Sequence, residues 1–217
     1  VTPTSDPASG PEQAPEQTAA PSNDQQTAEQ AEQTRSEAPV PEVELLPEEP
    51  PPTGAAREFS TDFSRHTVPY SQILSGGPPK DGIPAIDEPQ FVTVDEADAW
   101  IGPQEPVVQV QADDAVKVYP IQILTWHEIV NDTVGDTPIM VSFCPLCNTA
   151  IAFERTFNGQ VLDFGTTGRL RFSNLIMYDR QTETWWQQAT GEGIAGEFAG
   201  TQLEFYPAPM VAWADVR

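Results

Sequence analysis

The first 57 residues restrict the folded part of this chain to the remainder. Residues 1–57 contain no aromatic residue and hold 11 of the 23 prolines. Such a segment cannot bury enough apolar surface to offset the conformational entropy that folding costs. The sequence therefore predicts a disordered linker rich in Pro, Glu and Gln at residues 1–57, followed by a single domain at residues 58–217.

The charge of the chain argues against one class of partner. Its formal net charge is −23, and acidic residues are in excess both in the linker and in the domain. A protein that binds nucleic acid needs a positive field to contact phosphates, so we expect no nucleic-acid partner.

The sequence also indicates a relation to membranes. No apolar run is long enough to cross a bilayer, so we expect no transmembrane segment in this chain. A linker of this composition is typical of a spacer between a membrane anchor and an envelope domain. We therefore expect an extracytoplasmic location, either secreted, periplasmic or attached at the outer membrane face, with a lipid anchor upstream as one means of attachment.

Alternating apolar and polar residues predict β-hairpins after residue 58. One hairpin covers residues 107–119, a second turns at Asn158-Gly159, and a third turns near Arg180–Glu183. An Asn-Gly pair between two alternating runs is a strong signal for a two-residue hairpin turn. The chain also ends directly after an apolar, strand-like run, which favours a domain that continues past Arg217.

One main helix is predicted at about residues 120–135, with Pro120 at its start. On such a helix Ile123, Trp126, His127 and Val130 share one face, which we expect to be buried. Together with the hairpins, this predicts an α+β fold that is mainly β.

The only two cysteines, Cys144 and Cys147, follow a predicted strand at residues 137–143. In a thioredoxin-like site the first cysteine begins a helix, whose dipole lowers the pKa of the thiol. Here a β-hairpin is predicted after the pair, which argues against that fold. The pair is therefore a redox couple, half of a metal site or a disulfide.

A metal site is the first of these hypotheses. It combines Cys144, Cys147 and His127, with Met177 as a weak ligand. Soft sulfur ligands favour copper over zinc, and a closed zinc site usually needs four nitrogen or sulfur ligands. Two alternatives remain open. One is a non-catalytic binding module on a flexible stalk with a structural disulfide, and the other is an enzyme with a cysteine nucleophile.

A candidate ligand surface lies further along the chain. Arg169 and Arg180 belong to a cluster of arginines in an otherwise acidic domain, and Trp185 and Trp186 place one indole on each face of a strand. Such groups can line a pocket or a partner surface. The competing interpretation is that the arginines pair with Asp163, Asp179 and Glu183. One of the two indoles is expected to belong to the core, which leaves the other for a pocket or a partner surface.

Four segments together resemble a known family: YPIQILTWHEIVND, VSFCPLCNTAIAFER, FGTTGRL and SNLIMYDRQTETWWQQATG. They are similar to DUF3179, a family of bacterial and archaeal proteins, over about residues 78–217. The family's motifs fall on Trp126–Asp132, Phe143–Cys147 and Met177–Glu183. The chain departs from the pattern at Asn148, where glycine is common, and at Phe172, where tyrosine is frequent. The resemblance implies a domain of secreted or lipid-anchored proteins and no particular activity.

Overall fold

The structure is a computed structural model that describes residues 43–217. Residues 1–42 of the predicted linker lie outside the described residues. Residues 43–57 belong to the same compact unit as residues 58–217. The Leu46 N–H donates to the His66 carbonyl at 2.8 Å, and Ala55 is buried. The packed unit therefore includes residues that the sequence assigned to the linker.

The described part of the chain consists mainly of short strands, with three short helices and two 3₁₀ turns at Tyr70–Gln72 and Trp213–Asp215. The helices are α1 (Ala55–Glu58), α2 (Val94–Ala97) and α3 (Ile121–His127). The strands are β1 (Ile73–Ser75), β2 (Pro106–Ala112), β3 (Ala115–Pro120), β4 (Ile129–Val134), β5 (Thr137–Cys144), β6 (Thr149–Glu154), β7 (Thr156–Phe157), β8 (Gln160–Val161), β9 (Phe164–Arg171), β10 (Asn174–Asp179), β11 (Trp185–Gln187), β12 (Glu192–Ala195), β13 (Phe205–Tyr206) and β14 (Met210–Ala212).

The strands form antiparallel sheets. A five-stranded sheet has the order β1-β9-β10-β11-β12, a four-stranded sheet the order β13-β6-β5-β4, and a three-stranded sheet the order β14-β2-β3. Strands β7 and β8 form a separate hairpin. The mainly β prediction with few helices is confirmed. Within residues 43–217 none of the helices has the length and apolar character needed to cross a membrane.

The four-stranded sheet lies between the other two large sheets and shares one core with each of them, and a third core lies on the outer face of the five-stranded sheet. Ile176 and Tyr178 of β10 face a cluster that includes the N-terminal segment (residues 43–79), whereas Leu175 and Met177 face a cluster shared with the four-stranded sheet. The opposite face of the four-stranded sheet packs on the three-stranded sheet and on Leu124 of α3. Because side chains alternate along a strand, a strand between two cores is apolar on both faces.

The predicted helix is shorter than expected. It ends at His127, and β4 begins at Ile129, so the prediction of a helix over about 120–135 is wrong in its second half. The intervening Glu128 has φ of +57°, which ends the helix, and its carbonyl accepts a hydrogen bond from the Phe143 N–H at 2.7 Å. Pairing with β5 thus replaces the next helical turn.

The predicted buried face of this helix is also wrong. Leu124 is the residue that α3 buries, whereas Trp126 is 77% exposed and Ile123 also faces solvent. Val130 is buried, but as part of β4. The prediction failed because it treated Val130 as the next turn of the same helix.

The predicted hairpins are confirmed. Strands β2 and β3 pair around Asp113, β7 and β8 around Asn158-Gly159, and β10 and β11 around residues 180–184. The β4 and β9 strands are joined by Asn131, whose side chain accepts from the Phe164 N–H at 2.9 Å and donates to its carbonyl at 2.8 Å. This amide holds the four-stranded sheet against the five-stranded sheet.

Candidate functional site

The two cysteines lie at the hairpin between β5 and β6. Cys144 is the last residue of β5 and pairs with Thr149, the first residue of β6. The Cys147 N–H donates to the Cys144 carbonyl at 3.3 Å, and Asn148 has φ of +49°. The left-handed conformation of Asn148 suits glycine or asparagine. The hairpin therefore holds both thiols on one tight turn and accounts for the chain's departure from glycine at this position.

The two thiols differ in their exposure. Cys144 is 1% exposed and belongs to the core between the two larger sheets, whereas Cys147 is exposed to solvent. The Cys144 Sγ lies 3.7 Å from the Ser173 carbonyl in the turn between β9 and β10. One thiol is therefore accessible to a large substrate, and its neighbour is shielded. No disulfide joins them in the structure.

A cluster of buried amides supports the exposed thiol. The Asn174 Nδ2 lies 3.3 Å from the Cys147 Sγ and donates to the Gln188 Oε1 at 2.7 Å. The Asn174 Oδ1 accepts from the Ala189 N–H at 2.9 Å and from the side chain of Gln187. With its oxygen occupied by two donors, the Asn174 amide must direct its nitrogen toward the sulfur.

Gln188 connects this cluster to the cysteine hairpin. Its Nε2 donates to the Ser142 Oγ at 3.2 Å and to the Thr149 carbonyl at 3.1 Å. The Thr149 hydroxyl donates to the Cys147 carbonyl at 3.0 Å. The amide cluster, defined here as Asn174, Gln187 and Gln188, thus links β10 and β11 to the turn that carries the thiols.

The surroundings shift the pKa values of the two thiols in opposite directions. Burial raises the pKa of Cys144 to about 11, and its hydrogen bond to Cys147 adds to this effect. Partial burial of Cys147 opposes ionisation, but hydrogen bonds from Cys144 and Asn174 lower its pKa below the usual value. A thiolate on Cys147 therefore receives hydrogen bonds, while Cys144 keeps its proton.

Two exposed apolar side chains lie on the turns that meet at the thiols. Leu146 is 67% exposed in the cysteine hairpin, and Phe172 is 72% exposed next to Ser173. The Arg171 guanidinium lies 4.6 Å from the centre of the Phe172 ring. These side chains give the surface around Cys147 an apolar character.

The structure gives no support to the predicted copper or zinc site. Among residues 43–217, no group of three or more His, Cys, Asp and Glu side chains is arranged to hold a metal ion. The His127 Nδ1 donates to the Pro84 carbonyl at 2.8 Å. This nitrogen is therefore occupied by a carbonyl and does not contact a cysteine sulfur. Met177 is buried in the same cluster as Cys144. The structure thus brings Cys144 and Cys147 together without His127.

The predicted ligand surface is wrong for the two tryptophans. Trp185 and Trp186 are completely buried, on opposite faces of β11, because each belongs to a different core. The Arg169 guanidinium is buried and donates to Glu58 at 2.8 Å, while Arg180 pairs with Asp87 at 2.8 Å. Both arginines thus have carboxylate partners, but these are not the expected Asp163, Asp179 and Glu183.

Sequence reasoning missed the amides and one carboxyl group. Asn174 and Gln188 lie 27 and 46 positions from the residues they contact in the cysteine hairpin. Burial raises the pKa of Glu128 to about 7. Asn174 and Gln188 lie at the ends of predicted hairpin strands, where polar residues are usually exposed. Nothing in the local sequence therefore marked these amides as buried.

Comparison with known proteins identifies the family of this chain. The profile of a family described as proteins of unknown function, DUF3179, matches residues 80–217. No curated protein and no solved structure matches the chain. The matched region contains the cysteine hairpin and the amide cluster, and it begins after the N-terminal segment that completes the core. The chain belongs to the DUF3179 family.

Proposed function

We propose that this domain carries out thiol–disulfide exchange, with Cys147 as the attacking thiol and Cys144 as the resolving thiol. The observation that carries this proposal is the contrast between the two sulfurs on one turn. Cys147 is exposed and accepts a hydrogen bond from the Asn174 amide, whereas Cys144 is buried beside it. Thiolate stabilisation and access to substrate are the two properties that an attacking cysteine needs.

The substrate of this reaction is a protein or small-molecule disulfide. The Cys147 thiolate attacks one sulfur, a bond to Cys147 forms, the substrate S–S bond breaks, and the first substrate thiolate leaves and takes up a proton. Cys144 then loses its proton and attacks the Cys147 Sγ. The Cys144–Cys147 bond forms, and the second substrate thiolate leaves and is protonated. Two electrons and two protons have passed to the substrate, and a dithiol reverses the reaction.

The spacing of the thiols supports this mechanism. In a tight turn, residues i and i+3 have Cα atoms less than about 7 Å apart, and a disulfide requires about 4.4–6.8 Å. A permanent structural disulfide would explain the spacing but not the hydrogen bond from Asn174 to the sulfur. Disulfide substrates persist outside the cytoplasm, so the extracytoplasmic location expected from the sequence is part of this proposal.

The test traps the mixed disulfide with oxidised glutathione. In the full chain carrying Cys144→Ser, Cys147 should form a stable glutathione adduct, seen by intact mass. In the chain carrying Cys147→Ser, adduct formation on Cys144 should be at least about tenfold slower because this thiol is buried and protonated. The unsubstituted chain should release glutathione and form the Cys144–Cys147 disulfide.

Two results would overturn the proposal. One is an adduct on Cys144 that forms as fast as the adduct on Cys147. The other is an unsubstituted chain that retains glutathione, which would leave Cys147 as a single reactive thiol without a resolving partner. Circular dichroism of both variants establishes that each retains the folded sheets.

A further inference from the structure

A second site lies on the other side of the four-stranded sheet, separate from the thiols. It is an apolar cleft of about 540 Å³ between residues 86–101, strand β3 and helix α3. Cavities of about 300–1,000 Å³ lined mostly by apolar groups are typical of small-molecule sites. None of the residues that line the cleft belongs to the cysteine hairpin or to the amide cluster.

Exposed apolar side chains are concentrated in this apolar cleft. Of the thirteen large apolar side chains that are exposed within residues 43–217, six line it. Isolated exposed apolar residues are common on protein surfaces, but a contiguous concave patch marks a binding site. The six are Phe91, Val92, Val94, Trp100, Val116 and Ile123.

The walls of the cleft are held by contacts between the protein's own side chains. Thr93 and Glu96 form a reciprocal capping box that starts α2, and the Trp213 Nε1 donates to Asp98 at 2.6 Å. The Phe91 ring meets the Tyr119 ring edge-on, with their centres 5.6 Å apart. The cleft is therefore preformed, which lowers the entropic cost of binding a ligand.

Lys117 and Tyr119, which line the cleft, already have hydrogen-bond partners on β4. The Lys117 Nζ contacts the Asp132 carboxylate at 2.8 and 3.0 Å and donates to the Thr133 carbonyl at 2.9 Å. The Tyr119 hydroxyl donates to Asp132 at 2.7 Å. The cleft therefore presents no uncompensated charge, and a charged ligand would lose its hydration there without gaining a partner.

Two macromolecular occupants fit the cleft poorly. Residues 1–42 contain Val1 and Val40 as their only large apolar residues, so they lack side chains that could fill it. They also contain eight acidic residues and one arginine, a charge of −7, which leaves −16 of the total −23 on residues 43–217. Two copies with this charge repel each other.

We propose that the apolar cleft binds a neutral, apolar small molecule. The test uses the full chain and the uncharged fluorophore N-phenyl-1-naphthylamine. Binding should be saturable at one site per chain, and excitation of tryptophan should be transferred to the bound fluorophore because Trp100 and Trp213 line the cleft. Trp100→Phe should reduce this transfer.

Matched valine variants test the location of the site. Val116 lines the cleft and is 49% exposed, whereas Val161 lies outside it and is 44% exposed. Val116→Asp should weaken binding by at least about tenfold, because an unpaired carboxylate disfavours an apolar ligand. Val161→Asp should leave binding unchanged. Ile123→Asp, on the surface of α3, gives a second cleft variant if Val116→Asp does not fold.

Three outcomes would overturn this assignment. Binding that Val116→Asp and Ile123→Asp leave intact would place the fluorophore elsewhere. Equal loss in Val161→Asp would indicate a nonspecific effect of charge. A dimer in sedimentation velocity that Val116→Asp dissociates, without saturable binding of the fluorophore, would assign the cleft to a second copy of the chain.

Discussion

At the scale of single residues, the Asn174 side chain is the clearest link between geometry and chemistry. Its oxygen receives the Ala189 N–H and the Gln187 side chain, and its nitrogen lies 3.3 Å from the Cys147 sulfur. A hydrogen-bond donor at this position stabilises the thiolate relative to the thiol. The reactivity of Cys147 should therefore depend on the amide nitrogen.

Asn174→Asp tests this dependence with nearly the same side-chain shape. A carboxylate beside the sulfur removes a donor and adds a like charge, so we expect the pKa of Cys147 to rise by about one unit or more. The alkylation rate at pH 7 should fall about tenfold, measured against pH with iodoacetamide in the Cys144→Ser background. Asn158→Asp, in an exposed hairpin turn, is the control, and an unchanged pH profile for Asn174→Asp would contradict the role of this amide.

Glu128 shows how a residue at a helix end can make stability depend on pH. Burial raises the pKa of its carboxyl group to about 7 from the usual value of 4.5. Between these two values the folded chain binds more protons than the unfolded chain. The contribution of Glu128 to stability is therefore present below about pH 4.5 and is lost as the pH rises through 7.

Glu128→Gln removes this titration. Between pH 5 and pH 8 the unsubstituted chain should lose roughly 1 kcal/mol of unfolding free energy relative to Glu128→Gln, because partial exposure screens much of the full effect. Urea unfolding at several pH values measures the difference. The exposed Glu197→Gln controls for the removal of one charge, and a constant difference between Glu128→Gln and the unsubstituted chain across this range would contradict the assigned shift.

The sequence could reveal the thiols but not their surroundings. Cys144 and Cys147 are separated by only two residues, and the hairpin that follows them is indicated by the alternation of apolar and polar residues. The amides come from strands that only the folded topology brings to the turn. The proposed joining of His127 to the thiols depended on a spatial relation between separate elements, which residue spacing does not determine.

At the scale of elements, the turn between β9 and β10 is the most strained hairpin near the site. Phe172 and Ser173 have φ of +53° and +63°, a left-handed conformation that non-glycine side chains disfavour. Two-residue turns with both φ values positive prefer Asn-Gly. Because the Ser173 carbonyl lies beside the Cys144 sulfur, the strain is located at the candidate site.

Replacing Phe172-Ser173 by Asn-Gly should relieve this strain. We expect the free energy of unfolding to increase by about 1 kcal/mol, measured by guanidinium denaturation. The reciprocal control is the Asn158-Gly159 turn, in which both φ values are also positive, at +49° and +75°. Asn158→Phe with Gly159→Ser should therefore destabilise the protein. A loss of stability from the Asn-Gly replacement would show that the Phe172 side chain contributes more than its backbone strain costs.

Hairpins were predictable from the sequence because their pairing partners lie close along the chain. The end of α3 was not, because the run from Ile129 to Val134 is compatible with a helix or a strand over so few residues. What decided between them was the long-range pairing of β4 with β5 and the positive φ of Glu128. Local pattern thus predicted the elements that local contacts stabilise.

At the scale of the whole molecule, the N-terminal segment lies before the residues that match the family, yet it completes one of the cores. Phe59 and Phe63 lie before residue 80, and both rings meet Trp185 edge-on with centres 5.1 Å apart. Strand β1 also extends the five-stranded sheet by pairing with β9. Residues 43–79 are therefore part of the folded unit.

Phe59→Ala measures the importance of this segment. Removing the buried ring should reduce the free energy of unfolding by about 3–4 kcal/mol, because it leaves a cavity against Trp185 and Tyr178. Phe205→Ala removes a half-exposed ring from β13 and should cost less than about 1 kcal/mol. Equal costs for the two variants, measured by chemical denaturation, would show that the segment is only loosely attached.

The position of the cysteines on a hairpin has a consequence for the reduction potential. Strand pairing already brings the chain together at Cys144 and Thr149. A disulfide between Cys144 and Cys147 would close a loop of four residues, and the lost entropy would raise the free energy of the unfolded chain by about 2 kcal/mol. The oxidised protein should therefore be more stable than the reduced protein by no more than about 2 kcal/mol, measured by urea unfolding. By linkage, folding strengthens the bond by no more than this amount, while stabilisation of the Cys147 thiolate favours the reduced form. The disulfide should consequently form and be reduced without a change in the fold, as expected of an electron carrier and not of a structural disulfide.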